Sequence, residues 1–123
     1  MILETALRNV LADAIDAEIN TGAGTAALQF ETSGDVEVAT INLQNPAFGA
    51  AAAGVITLQG VPLSDSSATG GTVAQASIYD RDATKQLEMT VGTGGQEIVI
   101  SSTSVGATDQ VDLTSLTITV PAS

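Results

Sequence analysis

The spacing of apolar residues changes once along this chain of 123 residues, and that change divides it into two parts. Up to about residue 20, apolar residues recur every three or four positions, which is the period of a helix with one apolar face. From Ala26 onward they alternate with polar residues, which is the period of a strand. The sequence therefore predicts an N-terminal helix or arm in residues 1–22 and a β body in residues 23–123.

The N-terminal helix is predicted to be amphipathic, because its apolar positions form one stripe. The stripe consists of Leu3, Leu7, Val10, Leu11, Ala14, Ile15 and Ile19. Asn20, Thr21 and Gly22 supply the stop signal, with Gly22 as a left-handed cap. Residues 21–25, with two glycines, are expected to form a flexible joint.

The apolar stripe needs a surface to cover it, since an isolated helix of this length is marginal in water. One reading is that the helix caps one end of the β body. The other is that it docks on another subunit, in the way amphipathic helices bind apolar grooves. The candidate contact residues for that docking are Leu3, Leu7, Val10, Leu11 and Ile15.

Short alternating runs separated by turn residues predict about seven strands in the body. The runs are residues 26–31, 35–43, 55–59, 72–79, 86–91, 97–103 and 111–120, with a bulge between Leu113 and Leu116. Residues 47–53 and 64–71 are predicted to be loops. Strands at this regular spacing are typical of an antiparallel β-sandwich or barrel, so we expect a mainly β fold.

The chain contains no histidine and no cysteine. Without cysteine there is no disulfide framework, iron–sulfur cluster or zinc–thiolate site. Without histidine, the commonest general base and the commonest transition-metal ligand are both missing. We therefore expect a protein that is not an enzyme and that carries no cofactor.

The charge balance is strongly acidic, with 14 Asp and Glu against 3 Lys and Arg and a net charge of −11. A protein that binds a nucleic acid backbone needs clustered lysine and arginine, so this class of partner is not expected.

No apolar run approaches the roughly 20 residues of a membrane span. Glu4 and Arg8 interrupt the start, where a secretory signal would need its apolar stretch. We expect a soluble protein made in a cytoplasm.

Few residues offer site chemistry. Asp80 and Asp82, with Asp65 close in space, could form a calcium loop. Arg81 and Lys85 lie in the same turn, however, and the Gly and Glu of a calcium loop are missing at the sixth and twelfth positions, so an ordinary Asx turn is the favoured interpretation. Two carboxylates could hydrolyse a glycoside, although Tyr79 is the only tyrosine available as a sugar platform and the chain has no tryptophan. The glycines at 22–24 and 92–95 match no phosphate-binding fingerprint and are interpreted as turns. An extracellular calcium- or sugar-binding module stays as an alternative.

Several segments together resemble a known group of proteins. They are 11–24 (LADAIDAEINTGAG), 45–50 (NPAFGA), 64–71 (SDSSATGG), 79–82 (YDRD), 90–95 (TVGTGG) and 116–121 (LTITVP). In this combination, which covers nearly the whole chain, they resemble small head decoration, or capsid cement, proteins of tailed bacteriophages. One departure is the short turn after residues 26–31, where similar chains carry a longer insertion.

The resemblance implies a non-enzymatic virion structural protein on the capsid exterior. Its partner would be the major capsid protein, and it would act as a homotrimer at local threefold positions, where it ties neighbouring coat subunits together. A second reading within phage biology is a tail or head–tail connector component. The resemblance implies no small-molecule substrate, nucleic acid or membrane partner.

Overall fold

The computed structural model describes residues 1–123 and confirms a mainly β protein with one N-terminal helix. The helix α1 covers Thr5–Ile19. The strands are β1 (Ala27–Glu31), β2 (Glu37–Asn42), β3 (Val55–Thr57), β4 (Leu63–Asp65), β5 (Gly71–Thr72), β6 (Gln75–Tyr79), β7 (Lys85–Gly92), β8 (Ile98–Val99), β9 (Ser104–Val105), β10 (Val111–Leu113) and β11 (Thr117–Thr119).

A five-stranded sheet in the order β2-β1-β6-β7-β8 forms the main layer. Its pairs are antiparallel except β7 and β8, which run parallel. The register places Leu28 opposite Ile78, and Phe30 opposite Ala76. Because side chains alternate across a strand, these residues share one apolar face, while Gln29, Glu31 and Ser77 share the other.

Three two-stranded ladders supply the remaining strands: β3 with β11, β4 with β10, and β5 with β9. Their apolar residues join those of the large sheet in one core of 24 buried residues, an arrangement consistent with a sandwich- or barrel-like fold. The core contains both phenylalanines of the chain, Phe30 and Phe48, fully buried among aliphatic side chains. Helix α1 contributes Ala12 and Ile19 to it.

The strands are more numerous and shorter than the predicted seven. The run 111–120 is divided into β10, which pairs with β4, and β11, which pairs with β3. The bulge predicted between Leu113 and Leu116 is a break at which the chain passes from one ladder to the next. The predicted loop 64–71 contains part of β4, whose polar residues gave no alternation to detect; the Ser64 hydroxyl donates across the ladder to Asp112.

Residues 21–25 are not a free joint, because the β6–β7 loop holds them from the side. The backbone N–H of Arg81 donates to Thr21 (2.9 Å), and the N–H of Gly24 donates to the Arg81 carbonyl (2.8 Å). The Arg81 Nε–H also donates to the Gly24 carbonyl (2.9 Å). Gly22 has the predicted positive φ, at 119°, and a Cβ there would collide with Asp82. The connection therefore holds α1 in a defined place relative to the sheet.

The substitution Phe30→Ala tests the core. Phe30 is 0% exposed at the centre of the main sheet, and a phenylalanine truncation in a core costs about 3–5 kcal/mol of unfolding free energy. We expect a loss of that size in urea denaturation. Val36→Ala, at a side chain that is 62% exposed, should change the free energy by less than about 0.5 kcal/mol. Equal effects of the two substitutions would contradict this core.

Candidate functional site

Helix α1 lies on the β body through its polar face, which we define as Asn9, Asp13, Asp16 and Asn20. Each of these side chains accepts a hydrogen bond from a backbone N–H of segment 47–54. The donors are Gly54 to Asn9 (2.8 Å), Ala51 to Asp13 (2.8 Å), Phe48 to Asp16 (3.0 Å) and Ala47 to Asn20 (3.0 Å). The helix thus supplies acceptors to a stretch of backbone that has little regular pairing of its own.

The local sequence explains this contact from both sides. On α1 the four acceptors are spaced by four, three and four residues, which places them along one side of a helix. In segment 47–54 every residue except Phe48 is alanine or glycine. Small side chains leave the backbone open, so that short Asp and Asn side chains reach its N–H groups.

Arg8 fastens the N-terminal half of α1. Its Nε–H donates to the Val120 carbonyl (2.9 Å), and its Nη2–H donates to the Ala53 carbonyl (2.9 Å). Gly54 has φ +78°, and a Cβ there would lie 2.8 Å from the Arg8 Nε. The positive φ favours a glycine at this position, and the guanidinium packs closely against it. Arg8 also joins the helix to the C-terminal segment.

The opposite side of α1 is apolar and open to solvent, and we call Leu7, Val10, Leu11 and Ala14 its apolar face. Leu3 precedes the helix and is half-buried. Val10 is 63% exposed, Leu7 47% and Leu11 40%. Eight large hydrophobic side chains of the chain are exposed, and five of them lie in residues 1–11. Single exposed apolar residues are ordinary, whereas a contiguous patch marks an interaction surface.

The structure divides the predicted stripe. Ile19 is buried and Ile15 is half-buried, whereas Leu7, Val10 and Leu11 face solvent. The helix therefore packs against the β body of the same chain, and Leu7, Val10 and Leu11 nevertheless remain exposed. The sequence analysis did not predict that the polar face would contact the β body. The Asn and Asp residues repeated at helical spacing were the pattern that could have indicated it. That Leu3, Leu7, Val10, Leu11 and Ile15 contact a partner stays a prediction.

A groove lies beside the apolar face, between α1 and β7. It is lined by Leu11, Ala14, Ile15, Glu18, Gln86 and Leu87 and has a volume of about 460 Å³. Leu87 also lines a second depression, formed with Met89, Ile118 and the acidic side chains of Glu88 and Glu97. We call the first of these the α1–β7 groove. Its floor is aliphatic, and the charged side chains around the two depressions are glutamates.

The three aspartates considered for calcium each accept hydrogen bonds from different backbone segments. Asp82 accepts the N–H of Ala23 (3.4 Å). Asp80 accepts the N–H groups of Asp82 and Thr84 (both 2.9 Å), which is the ordinary Asx turn. Asp65, the last residue of β4, accepts the N–H groups of Ser67 and Thr40 (both 2.9 Å). These backbone hydrogen bonds lower the pKa of the Asp80 and Asp65 carboxyls. The geometry matches the turn interpretation.

A different carboxylate group gathers on the polar side of the main sheet. Oxygens of Glu31, Asp35 and Glu88 lie within 4.8 Å of one another. Glu31 is 1% exposed, yet it is fully hydrogen-bonded: Ser77 donates to one oxygen (2.7 Å), while Tyr79 (3.0 Å) and Gln29 (2.9 Å) donate to the other. Neutral donors thus account for the buried charge without a bound ion.

Tyr79 belongs to the same hydrogen-bonded group and is not a free aromatic platform. Its hydroxyl donates to Glu31, and the ring is half-buried. Burial, and then the hydrogen bond to Glu31, raise the pKa of the Tyr79 hydroxyl. Asp65, Asp80 and Tyr79 all take part in hydrogen bonds within the chain. The exposed face of α1 with its groove is the candidate site that we develop below.

Comparisons of the chain with protein-family models, with curated proteins and with solved structures find no match. Helix α1 is neither long enough nor apolar enough to cross a membrane.

Substitution of Asp16 tests the mounting of the helix. Asp16→Ala leaves the N–H of Phe48 without its acceptor, and an unsatisfied buried donor costs about 1–3 kcal/mol. We expect a loss of that size in the free energy of unfolding, measured by chemical denaturation. The matched control is Glu18→Ala on the same turn, an exposed side chain that should change stability by less than about 0.5 kcal/mol. Equal losses would mean that the polar face does not hold the helix.

The Asx turn at Asp80 predicts a dependence of stability on pH. Because its pKa is lowered in the folded chain, the charged form stabilises the fold above the ordinary aspartate pKa of about 4. This stabilisation disappears as the pH falls through the lowered pKa. Asp80→Asn keeps an acceptor for the turn and removes the titration. Melting temperatures from neutral pH down to about pH 2 should therefore fall less steeply in Asp80→Asn than in the unchanged chain; parallel curves would contradict this role.

Proposed function

We propose that this protein is a non-enzymatic virion structural protein that decorates the capsid of a tailed bacteriophage from the outside. In this proposal it acts as a trimer at local threefold positions and bridges neighbouring subunits of the major capsid protein. The observation that carries the proposal is the way α1 packs. Its polar face contacts segment 47–54, and its apolar face is therefore exposed to solvent. The family-like segments across the chain direct the proposal to phage heads.

The rigidity of the helix supports a docking role. The four side-chain acceptors, the Arg8 contacts and the fastened segment 21–25 hold α1 before any partner arrives. A surface ordered in advance loses little conformational entropy on binding, so more of the contact energy becomes affinity. A passive fastener needs such a surface and no reacting group.

Charge and copy number support the same role. A net charge of −11 keeps decorated particles soluble and mutually repelling, and it complements basic patches on coat subunits. Many copies on one shell, each bridging subunits, increase the total stabilisation through avidity although each contact is modest. The tail or connector interpretation would use the same docking face but in a few copies at one vertex.

The decisive experiment measures binding to expanded heads that lack this protein. Leu7→Gln and Leu11→Gln remove apolar contact area from side chains that the fold does not bury, and a buried leucine contributes about 1.5–3 kcal/mol. We expect each substitution to weaken head binding at least about tenfold. Val36→Gln, on the β1–β2 hairpin, is the matched control and should bind like the unchanged chain.

Point substitutions serve this test better than removal of residues 1–20, because truncation would also remove the acceptors of segment 47–54. Electron microscopy of the decorated heads adds the location. Density at threefold positions across the shell is the expected result. Density at one vertex or on the tail would replace the decoration role with the connector role, and no binding to any phage particle would overturn the proposal.

A further inference from the structure

The apolar face of α1 has the geometry of a helix-pairing seam. Leu7, Val10 and Ala14 are spaced by three and four residues, which is the repeat of the a and d positions that pair two helices in a coiled coil. Ala14 is small, so a partner backbone can approach closely at the C-terminal end of the seam. A narrow stripe of this kind fits another helix along its length.

The α1–β7 groove adds a pocket to the seam. Leu11 and Ile15 form its helical wall, and Leu87 of β7 forms the opposite wall. Its volume of about 460 Å³ accommodates large apolar side chains projecting from a helix that lies on α1. The seam and the groove share Ala14, and Leu11 of the groove belongs to the same apolar face, so one partner segment would cover both.

The acidic side chains around this surface indicate which charge its partner carries. Glu18 lines the groove, and Glu97 lines the neighbouring depression, which shares Leu87 with it. Glu88 also lines that depression but is already paired with Lys85. A second copy of this chain would offer few free cationic side chains to these glutamates, because its three basic residues already form contacts within their own chain. Arg8 and Arg81 donate to backbone carbonyls of their own chain, and Lys85 pairs with Glu88 at 3.1 Å. Self-association through this face would bring together two acidic surfaces.

We propose that the apolar face of α1 and the α1–β7 groove bind a cationic amphipathic helix of a partner protein. Leucine-like residues of that helix occupy the seam and the groove, and its flanking lysines and arginines face Glu18. The inference rests on the proposed function for the docking face, and it adds the chemistry of the partner segment, which would belong to the coat protein.

The test uses the full chain and two synthetic peptides of the length of α1. Both carry leucine at the a and d positions; one has lysine at the flanking positions and the other has glutamate. Affinity is measured by fluorescence anisotropy, peptide helicity by circular dichroism, and the contact surface by amide chemical shifts of the labelled protein. Sedimentation of the protein alone and binding to phosphatidylcholine vesicles are measured in parallel.

We expect the lysine peptide to become helical on binding and to shift amides of α1 and β7. Leu7→Gln and Leu11→Gln should each weaken it at least about tenfold, whereas Val36→Gln should not. Glu18→Gln should weaken it about two- to fourfold at low salt and less at high salt. Asp112→Asn, which removes the same charge on β10 away from both depressions, should have no effect. The glutamate peptide should bind at least about tenfold more weakly.

Four results would overturn the inference. They are equal binding of the two peptides, lysine-peptide binding that Leu7→Gln and Leu11→Gln leave unchanged, self-association that these substitutions abolish, and vesicle binding that they abolish. Heads that bind the chain while the lysine peptide does not would refute the inference and leave the proposed function standing. A peptide that binds specifically while heads do not would refute the proposed function alone.

Discussion

The supply of hydrogen-bond acceptors to the backbone of segment 47–54 is the constraint on which the rest of the structure depends. This stretch contains buried Ala47 and Phe48 and lies against α1. Buried N–H groups need acceptors, and Asn9, Asp13, Asp16 and Asn20 provide them. Because one side of the helix accepts hydrogen bonds from this segment, Leu7 and Leu11 on the other side are exposed to solvent.

Polar side chains organise the β body by the same principle. Glu31 is buried under the polar side of the main sheet and collects donors from Gln29, Ser77 and Tyr79. Asp80 closes the β6–β7 loop, and that loop in turn holds residues 21–25 through Arg81. A core with few aromatic residues is thus combined with specific polar contacts that fix the orientation of each element.

The long strands were predictable from the sequence, and the short ladders were not. Strands β1, β2, β6 and β7 alternate apolar and polar residues over five to eight positions, and each was expected close to its observed place. Strands β4, β5 and β9 are two or three residues long and mostly polar. Their pairing depends on distant partners, so no local period could reveal them. The candidate contact residues on α1 were identified as a stripe, but the groove beside them includes Leu87, which only folding brings close.

The sequence by itself determined that the chain has one amphipathic helix followed by a β body without the residues for redox or histidine chemistry. Those properties are local or compositional, since a period of 3.6 or 2 and the absence of a residue type need no tertiary partner. Only the tertiary structure decided which side of the helix faces outward. Both sides of α1 could be buried, and the choice depended on unpaired amides that lie 27 to 45 residues further along the chain. The side of α1 that accepts those amides lies on the body, and the apolar face remains on the surface.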